Sequence, residues 1–221
     1  MNYNFQNNSA LKEKRRLLIQ QLRKRGIKDE NVLNAMNKIP REYFIDPAII
    51  NRTYDDAALP IDCEQTISQP YTVAYMTEAL KIEKGDKILE IGTGSGYQAC
   101  VLYEMGAKVF TIERIKNLYE SSKEIFSNLN ININQRLGDG TLGWQDMAPF
   151  QGIIVTAAAP KIPNLLKQQL AIGAKLIIPV GDKNTQIMYI VEREADSEFI
   201  ETSTDSFKFV TLIGKEGWKN D

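Results

Sequence analysis

The sequence predicts an α/β fold with a doubly wound, mostly parallel sheet, and three observations carry that expectation. From Lys87 to Val180, short apolar runs of strand length alternate with helical stretches, the pattern of a parallel sheet covered by crossover helices. A glycine-rich turn, Gly92-Thr-Gly94-Ser-Gly96, stands where the first of those strands meets its helix, at the sheet edge where such folds bind ligands. Beyond Gly181 the helical spacing stops and strand-like runs remain, which predicts antiparallel strands on one edge.

In chain order, the Asn-rich residues 2–8 read as a frayed start. Ser9 then caps a helix with Leu11, Leu18 and Leu22 near one face, which Gly26 ends. That helix is strongly basic (Lys12, Lys14, Arg15, Arg16, Arg23, Lys24, Arg25), a pattern that reads as a solvated outer face. A short helix spans Glu30 to Lys38 and stops before Pro40. Residues 41–70 read as a long ordered loop with short turns, and helical spacing resumes from Thr72 to Leu80.

The alternating region then predicts a strand at Lys87–Ile91, a helix from Tyr97 to Met105 ended by Gly106, and a strand at Lys108–Ile112. A helix from Lys116 to Leu129 follows, with strands near Asn132–Leu137 and at Gly152–Thr156, a helix around Pro163–Ala171 and a strand at Lys175–Val180. The runs 186–192, 199–202 and 207–212 read as further strands. Residues 1–70 form a helical and substrate-loop extension, and 71–221 the cofactor-binding domain of one structural unit.

The bulk properties narrow the class of function. A chain of 221 residues with 43% apolar and 25% charged residues fits one soluble globular domain. A net charge of −1 lacks the sustained positive field that nucleic acid or an anionic membrane requires. The two cysteines, Cys63 and Cys100, form neither a disulfide framework nor a metal pair, so no metal is expected. No stretch approaches the roughly 18 apolar residues of a membrane span, and Met1–Glu30 lacks the apolar core of a secretory signal. A cytoplasmic monomer is the expected state.

The cofactor is read from charge. Gly92 and Gly94 permit a tight turn and close backbone approach, and Gly96 lets the next helix pack closely. Tyr97 stands where a dinucleotide fingerprint has its third glycine, and Glu90 precedes the turn, an unwelcome carboxylate for a pyrophosphate but a favourable one for an amine or sulfonium. Glu113 ends the second strand, placed to accept bonds from ribose hydroxyls, and Asp139 in Gly138-Asp-Gly140 is placed to accept from an adenine amino group or to close a tight turn. An adenosyl ligand without phosphate fits S-adenosylmethionine, with S-adenosylhomocysteine as product.

The blocks Gln65-Thr-Ile-Ser-Gln-Pro-Tyr71, Glu90-Ile-Gly-Thr-Gly-Ser-Gly-Tyr-Gln98, Thr111-Ile-Glu-Arg114, Gly138-Asp-Gly140, Ala148-Pro-Phe150, Val155-Thr-Ala-Ala-Ala159 and Ile178-Pro-Val-Gly181 resemble, in order, those of the protein-L-isoaspartate O-methyltransferase family. The resemblance runs from about Ile39 to Trp218. It implies a Rossmann-like class I methyltransferase that methylates the free carboxylate of L-isoaspartyl residues in damaged proteins and so starts their repair. It further implies that Ser68 is the active-site serine. Thr66, Ser68 and Gln69 belong to a loop that closes over the cofactor, and Glu90, Gly92, Thr93, Gly94, Gly96, Glu113, Asp139 and Gly140 complete the cofactor site.

The chain has no histidine. A carboxylate acceptor, with an ordinary pKa of roughly 4, needs no general base at neutral pH. A nucleophilic serine would need one, so Ser68 is expected to orient the substrate carboxylate. The family usually has Ile-Gly-x-Gly before this loop, whereas here Ile61 is followed by Asp62-Cys63-Glu64. A left-handed backbone suits Asp62 and not Glu64, and two added carboxylates beside the loop repel an anionic substrate if they point inward. The alternatives are a methyltransferase of another acceptor and a non-catalytic protein that binds cofactor and peptide. Tyr97 and Glu90 argue against a nicotinamide dehydrogenase.

Overall fold

The computed structural model describes residues 8–219, so the frayed start expected at 2–8 lies, apart from Asn8, outside the described residues. Helix α1 (Ser9–Lys24) is capped one residue earlier than predicted. Asn8, not Ser9, accepts from the Ala10 and Leu11 amides, because its side-chain carbonyl reaches both free N–H groups of the first turn. Leu11, Leu18 and Leu22 are buried as the spacing requires. Helix α2 (Glu30–Lys38) starts from Asp29, whose carboxylate accepts from Asn31 and Val32. Two 3₁₀ turns (Arg41–Phe44 and Pro47–Arg52) and a small antiparallel hairpin, β1 (Leu59–Pro60) with β2 (Thr66–Ile67), organise the segment predicted as loop.

Helix α3 (Pro70–Leu80) opens on Pro70, which is suited to a first turn because its missing N–H would find no partner there. The alternating region follows as β3 (Lys87–Ile91), α4 (Tyr97–Glu104), β4 (Lys108–Glu113), α5 (Lys116–Asn128), β5 (Asn134–Leu137), β6 (Phe150–Val155), α6 (Asn164–Gln168), β7 (Leu170–Gly181), β8 (Gln186–Ala195) and β9 (Glu198–Phe207). The sheet order is β5-β4-β3-β6-β7-β8-β9, parallel through β7 and antiparallel at β7–β8 and β8–β9. The chain leaves β3 for β4 and β5 and returns on β3's other side as β6, so the topological switch point lies between β3 and β6.

Two expectations near the C-terminus are corrected. The helix predicted to reach Ala171 stops at Gln168, and β7 begins at Leu170, which pairs with Phe150 of β6 before the register shifts to Lys175 with Gly152. Residues 199–207 are one long strand. Residues 208–212, expected as a strand, instead leave the sheet edge and return over it, with the Ala158 amide donating to Val210 and the Leu212 amide to the Ala158 carbonyl.

Two apolar cores flank the sheet. On one face α1–α4 pack with Phe126 of α5 against Ile88, Ile154 and Ile177, so residues 9–70 share one core with the cofactor-binding part. The other face, with Leu89, Ile91, Ile153, Val155, Leu176 and Ile178, is covered by α6 and short turns. No helix among the described residues is long and apolar enough to cross a membrane, and those residues hold no cluster of metal-ligating side chains.

Candidate active site

At the carboxyl ends of β3, β4 and β6 lies a cleft, open to solvent and lined among others by Ser68, Glu90, Gly92, Gly94, Glu113 and Gly140. Its floor is the glycine turn. Gly92 and Gly96 have φ of +94° and +86°, which side chains rarely adopt. A Cβ on Gly92 would stand 2.5 Å from Thr156 Oγ1, whose own hydroxyl donates to the Gly92 carbonyl at 2.6 Å. A Cβ on Gly96 would meet the Phe126 ring at 2.7 Å, so this glycine serves the packing of α4 on α5 and is not on the cleft wall.

Two acidic groups flank the turn. Glu90 is fully buried; its Oε2 accepts from the Thr111 hydroxyl at 2.5 Å, and its Oε1 has no partner. Burial pushes its pKa up to about 8, the Thr111 bond opposes that shift, and nearby Glu113 adds to it. Glu113 accepts from the Gly94 amide at 2.8 Å and from the Ile115 amide at 2.8 Å, which sets the turn against β4 while each oxygen keeps a second lone pair. Thr93 lines the cleft, but its hydroxyl bonds sideways to Thr111 Oγ1 at 2.7 Å.

Asp139 behaves differently from the expectation. Its Oδ1 accepts from the amide and hydroxyl of Thr141, and its Oδ2 accepts from the Lys215 amide at 2.8 Å. It does not line the cleft, although Gly140 does. The carboxylate clasps the C-terminal segment, which lines the cleft with Val210, Thr211, Leu212 and Ile213.

The loop carrying Thr66, Ser68 and Gln69 forms the opposite wall. Ser68 and Thr66 line this cleft and also a second groove bounded by Arg25, Tyr71, Asp205, Lys208 and Phe209. Gln69 lines only the second groove, where its amide donates to the Asp56 carbonyl at 2.9 Å. The basic helix contributes Arg25, laid over the Tyr71 ring at 3.7 Å and ion-paired with Asp56. Arg15, Arg16 and Arg23 also bond carboxylates of the same chain.

Sequence reasoning missed Arg41, Thr111, Thr156 and the C-terminal segment. Thr156 directly follows β6 beside the switch point and was discoverable from topology. Nothing in the sequence marks Arg41 as a buried arginine.

A cleft at the switch point with a glycine turn, an acid before it and an acid ending the next strand defines a Rossmann-like, S-adenosylmethionine-dependent methyltransferase. The family model described as protein-L-isoaspartate(D-aspartate) O-methyltransferase matches residues 13–217, and the chain belongs to that family of enzymes. The protein-L-isoaspartate O-methyltransferase of Cytophaga hutchinsonii is 48% identical over 204 residues, covering 92% of each chain. That of Geobacter metallireducens is 43% identical over 206 residues, covering 93% of this chain and 95% of its own. A solved protein-L-isoaspartate O-methyltransferase superposes with a TM-score of 0.83 at 29% identity, over 92% of this chain and 67% of that one. A Plasmodium falciparum structure, described as a putative enzyme of this kind in complex with S-adenosyl-L-homocysteine, has a TM-score of 0.78 at 26% identity, over 90% of this chain and 98% of that one.

Proposed function

We propose that this enzyme transfers a methyl group from S-adenosylmethionine to the free carboxylate of isoaspartyl residues in polypeptides, with Ser68 orienting that carboxylate. The observation that carries the reading is the position of Ser68, on the wall shared by the cofactor cleft and the second groove. An acceptor lying in that groove meets the donor's cleft at this residue.

The cleft's own chemistry fits the cofactor. The unpartnered Glu90 oxygen is a buried acceptor suited to a cationic ligand, Gly92 and Gly94 allow close backbone approach, and Glu113 retains acceptor capacity for ribose hydroxyls. Gly140 borders the same cleft, and Asp139 acts on the adenine side through the segment it clasps. The bound cofactor supplies an electrophilic methyl group on sulfur.

The chain then has little to do beyond positioning. A carboxylate oxygen forms the new C–O bond as the S–C bond breaks, the bonding pair stays on sulfur, and no proton moves. No general base is required, consistent with a site without histidine. Opposite charges vanish on the way to products, so a closed site that excludes water favours transfer.

The test compares an isoaspartyl peptide with its aspartyl twin, scoring base-labile methyl ester. Ser68→Ala is expected to lower kcat for the isoaspartyl peptide about 10- to 100-fold while S-adenosylhomocysteine still binds, the scale set by losing one oriented contact. Equal methylation of both peptides would point to another acceptor, and binding without ester formation to a non-catalytic relative.

A further inference from the structure

Among the described residues Arg41 is the largest fully buried side chain, and none of their carboxylates is paired with it. Its Nη2 donates to the Ser68 carbonyl at 2.8 Å, its Nε donates to the Thr53 carbonyl at 3.1 Å, and its Nη1 has no partner. The guanidinium lies 4.9 Å from the centre of the Tyr97 ring, and Tyr97 is the first residue of α4, next after the glycine turn. The surrounding turn is anchored in its turn. Glu42 accepts from Arg15 at 2.9 Å and from the Tyr54 hydroxyl, and the Phe44 ring meets Tyr97 edge-on at 5.3 Å.

Burying a cation without an ionic partner is costly, so a hydrophobic side chain of like size would pack here at lower cost. What an apolar residue lacks is a cation that donates to two carbonyls while standing over Tyr97. Burial lowers the Arg41 pKa to about 10, and the group stays charged at neutral pH. At neutral pH the Asp56 carboxylate is the ionised group whose field favours that charge, since burial holds the Tyr97 phenol neutral. The same guanidinium therefore touches the loop on the acceptor side of the site and the helix on the donor side.

We propose that Arg41 is a positioning residue for methyl transfer, tying the backbone of Ser68 to the helix behind the glycine turn and so setting the spacing between acceptor and donor. The proposal rests on the role given to Ser68 above. Arg41→Lys keeps the charge, but a single ammonium cannot reach both carbonyls while holding its place over the Tyr97 ring. The expected result is a kcat reduced about tenfold or more, with peptide KM and the Kd for S-adenosylhomocysteine changed less than about threefold, since misplacement by an ångström costs rate more than binding. In a Ser68→Ala background the same substitution is expected to have little further effect, because the two residues act as one unit.

A normal kcat in Arg41→Lys beside a slow Ser68→Ala overturns this proposal alone, as does full additivity of the two. A normal kcat in Ser68→Ala overturns the reading of Ser68 and this proposal with it. Should Arg41→Lys fail to fold, the wild-type enzyme still decides. Its Arg41 side-chain ¹⁵N resonances are expected to shift when isoaspartyl peptide is added to the S-adenosylhomocysteine complex, and unmoved resonances overturn the proposal.

Discussion

The hydroxyl of Thr111 donates to Glu90 Oε2 across 2.5 Å, joining the neighbouring strands β3 and β4 directly beneath the glycine turn. The same hydroxyl bonds Thr93 at 2.7 Å, so the turn, the buried acid and β4 share one hydrogen-bonded unit. With its pKa raised to about 8, Glu90 is mostly protonated at neutral pH in the free protein, and a cationic ligand favours its ionised form.

Cofactor affinity is therefore expected to rise with pH between about 6.5 and 8.5, with proton release on binding at the lower end. Calorimetry of S-adenosylmethionine binding in buffers of different ionisation enthalpy measures both. The stability effect of the free protein has the opposite sign. A folded pKa above the unfolded value of 4.5 favours the folded state at low pH, and that advantage is lost as pH rises through 8. Glu90→Gln should leave Tm unchanged near pH 5 and raise it by on the order of 5 °C at pH 8.5 in the absence of ligand.

The two glycines at either end of the turn answer to different neighbours. Gly96→Ala forces a left-handed Ala and drives a methyl into the Phe126 ring, so a loss of about 2–4 kcal/mol is expected in urea denaturation. A loss below about 0.5 kcal/mol would show that α4 and α5 are not packed this closely.

Asp139 is expected to reveal itself through the C-terminal segment. Asp139→Ala removes the acceptor for the Lys215 amide and for Thr141, and should raise hydrogen exchange across residues 211–218 while weakening S-adenosylhomocysteine binding about tenfold, a loss of the order of one charge-assisted bond. Gly214→Ala is predicted to act alike, because its Cβ would collide with Asp139 Oδ1. Weakened binding with unchanged exchange would instead favour direct adenine contact by the carboxylate.

The turn after Ile61 contains two successive residues, Cys63 and Glu64, at φ of +58° and +57°. With the Gln65 amide donating to the Asp62 carbonyl at 3.2 Å, this is the type I′ geometry that favours Asn-Gly. Cys63→Asn with Glu64→Gly should stabilise the protein by about 1–2 kcal/mol, seen as a higher Tm. Asp62 and Glu64 are exposed, so peptide KM should not change; a lower KM would mean that these carboxylates repel the substrate.

Much of this architecture was legible in the residues. Lys87–Ile91 and Glu30–Lys38 form the elements their patterns predict, because an apolar run or a 3.6-residue period between strong caps leaves few alternatives. The departure at Asp62-Cys63-Glu64 was visible too, although the left-handed residues proved to be Cys63 and Glu64, since the hairpin register of β1 with β2 decides which two positions form the turn. The boundary between α6 and β7 was misjudged because Leu170 already pairs with Phe150 of β6, a contact set by tertiary structure, before the register shifts and resumes at Lys175 with Gly152.

By itself the sequence determined the alternation of strands and helices from Lys87 to Gly181, the glycine turn, and the acids Glu90 and Glu113 that point to a cationic adenosyl ligand. These are local or periodic features, and each is dictated by residues near it in the chain. Only the tertiary structure decided that Asp139 clasps the C-terminal segment, that Gln69 faces the second groove, and that Arg41 reaches Ser68 across 27 positions of chain. Those facts depend on which distant backbone carbonyls and amides are brought within hydrogen-bond reach. That proximity comes from the packing of α1–α4 against the sheet and leaves no local pattern in the sequence.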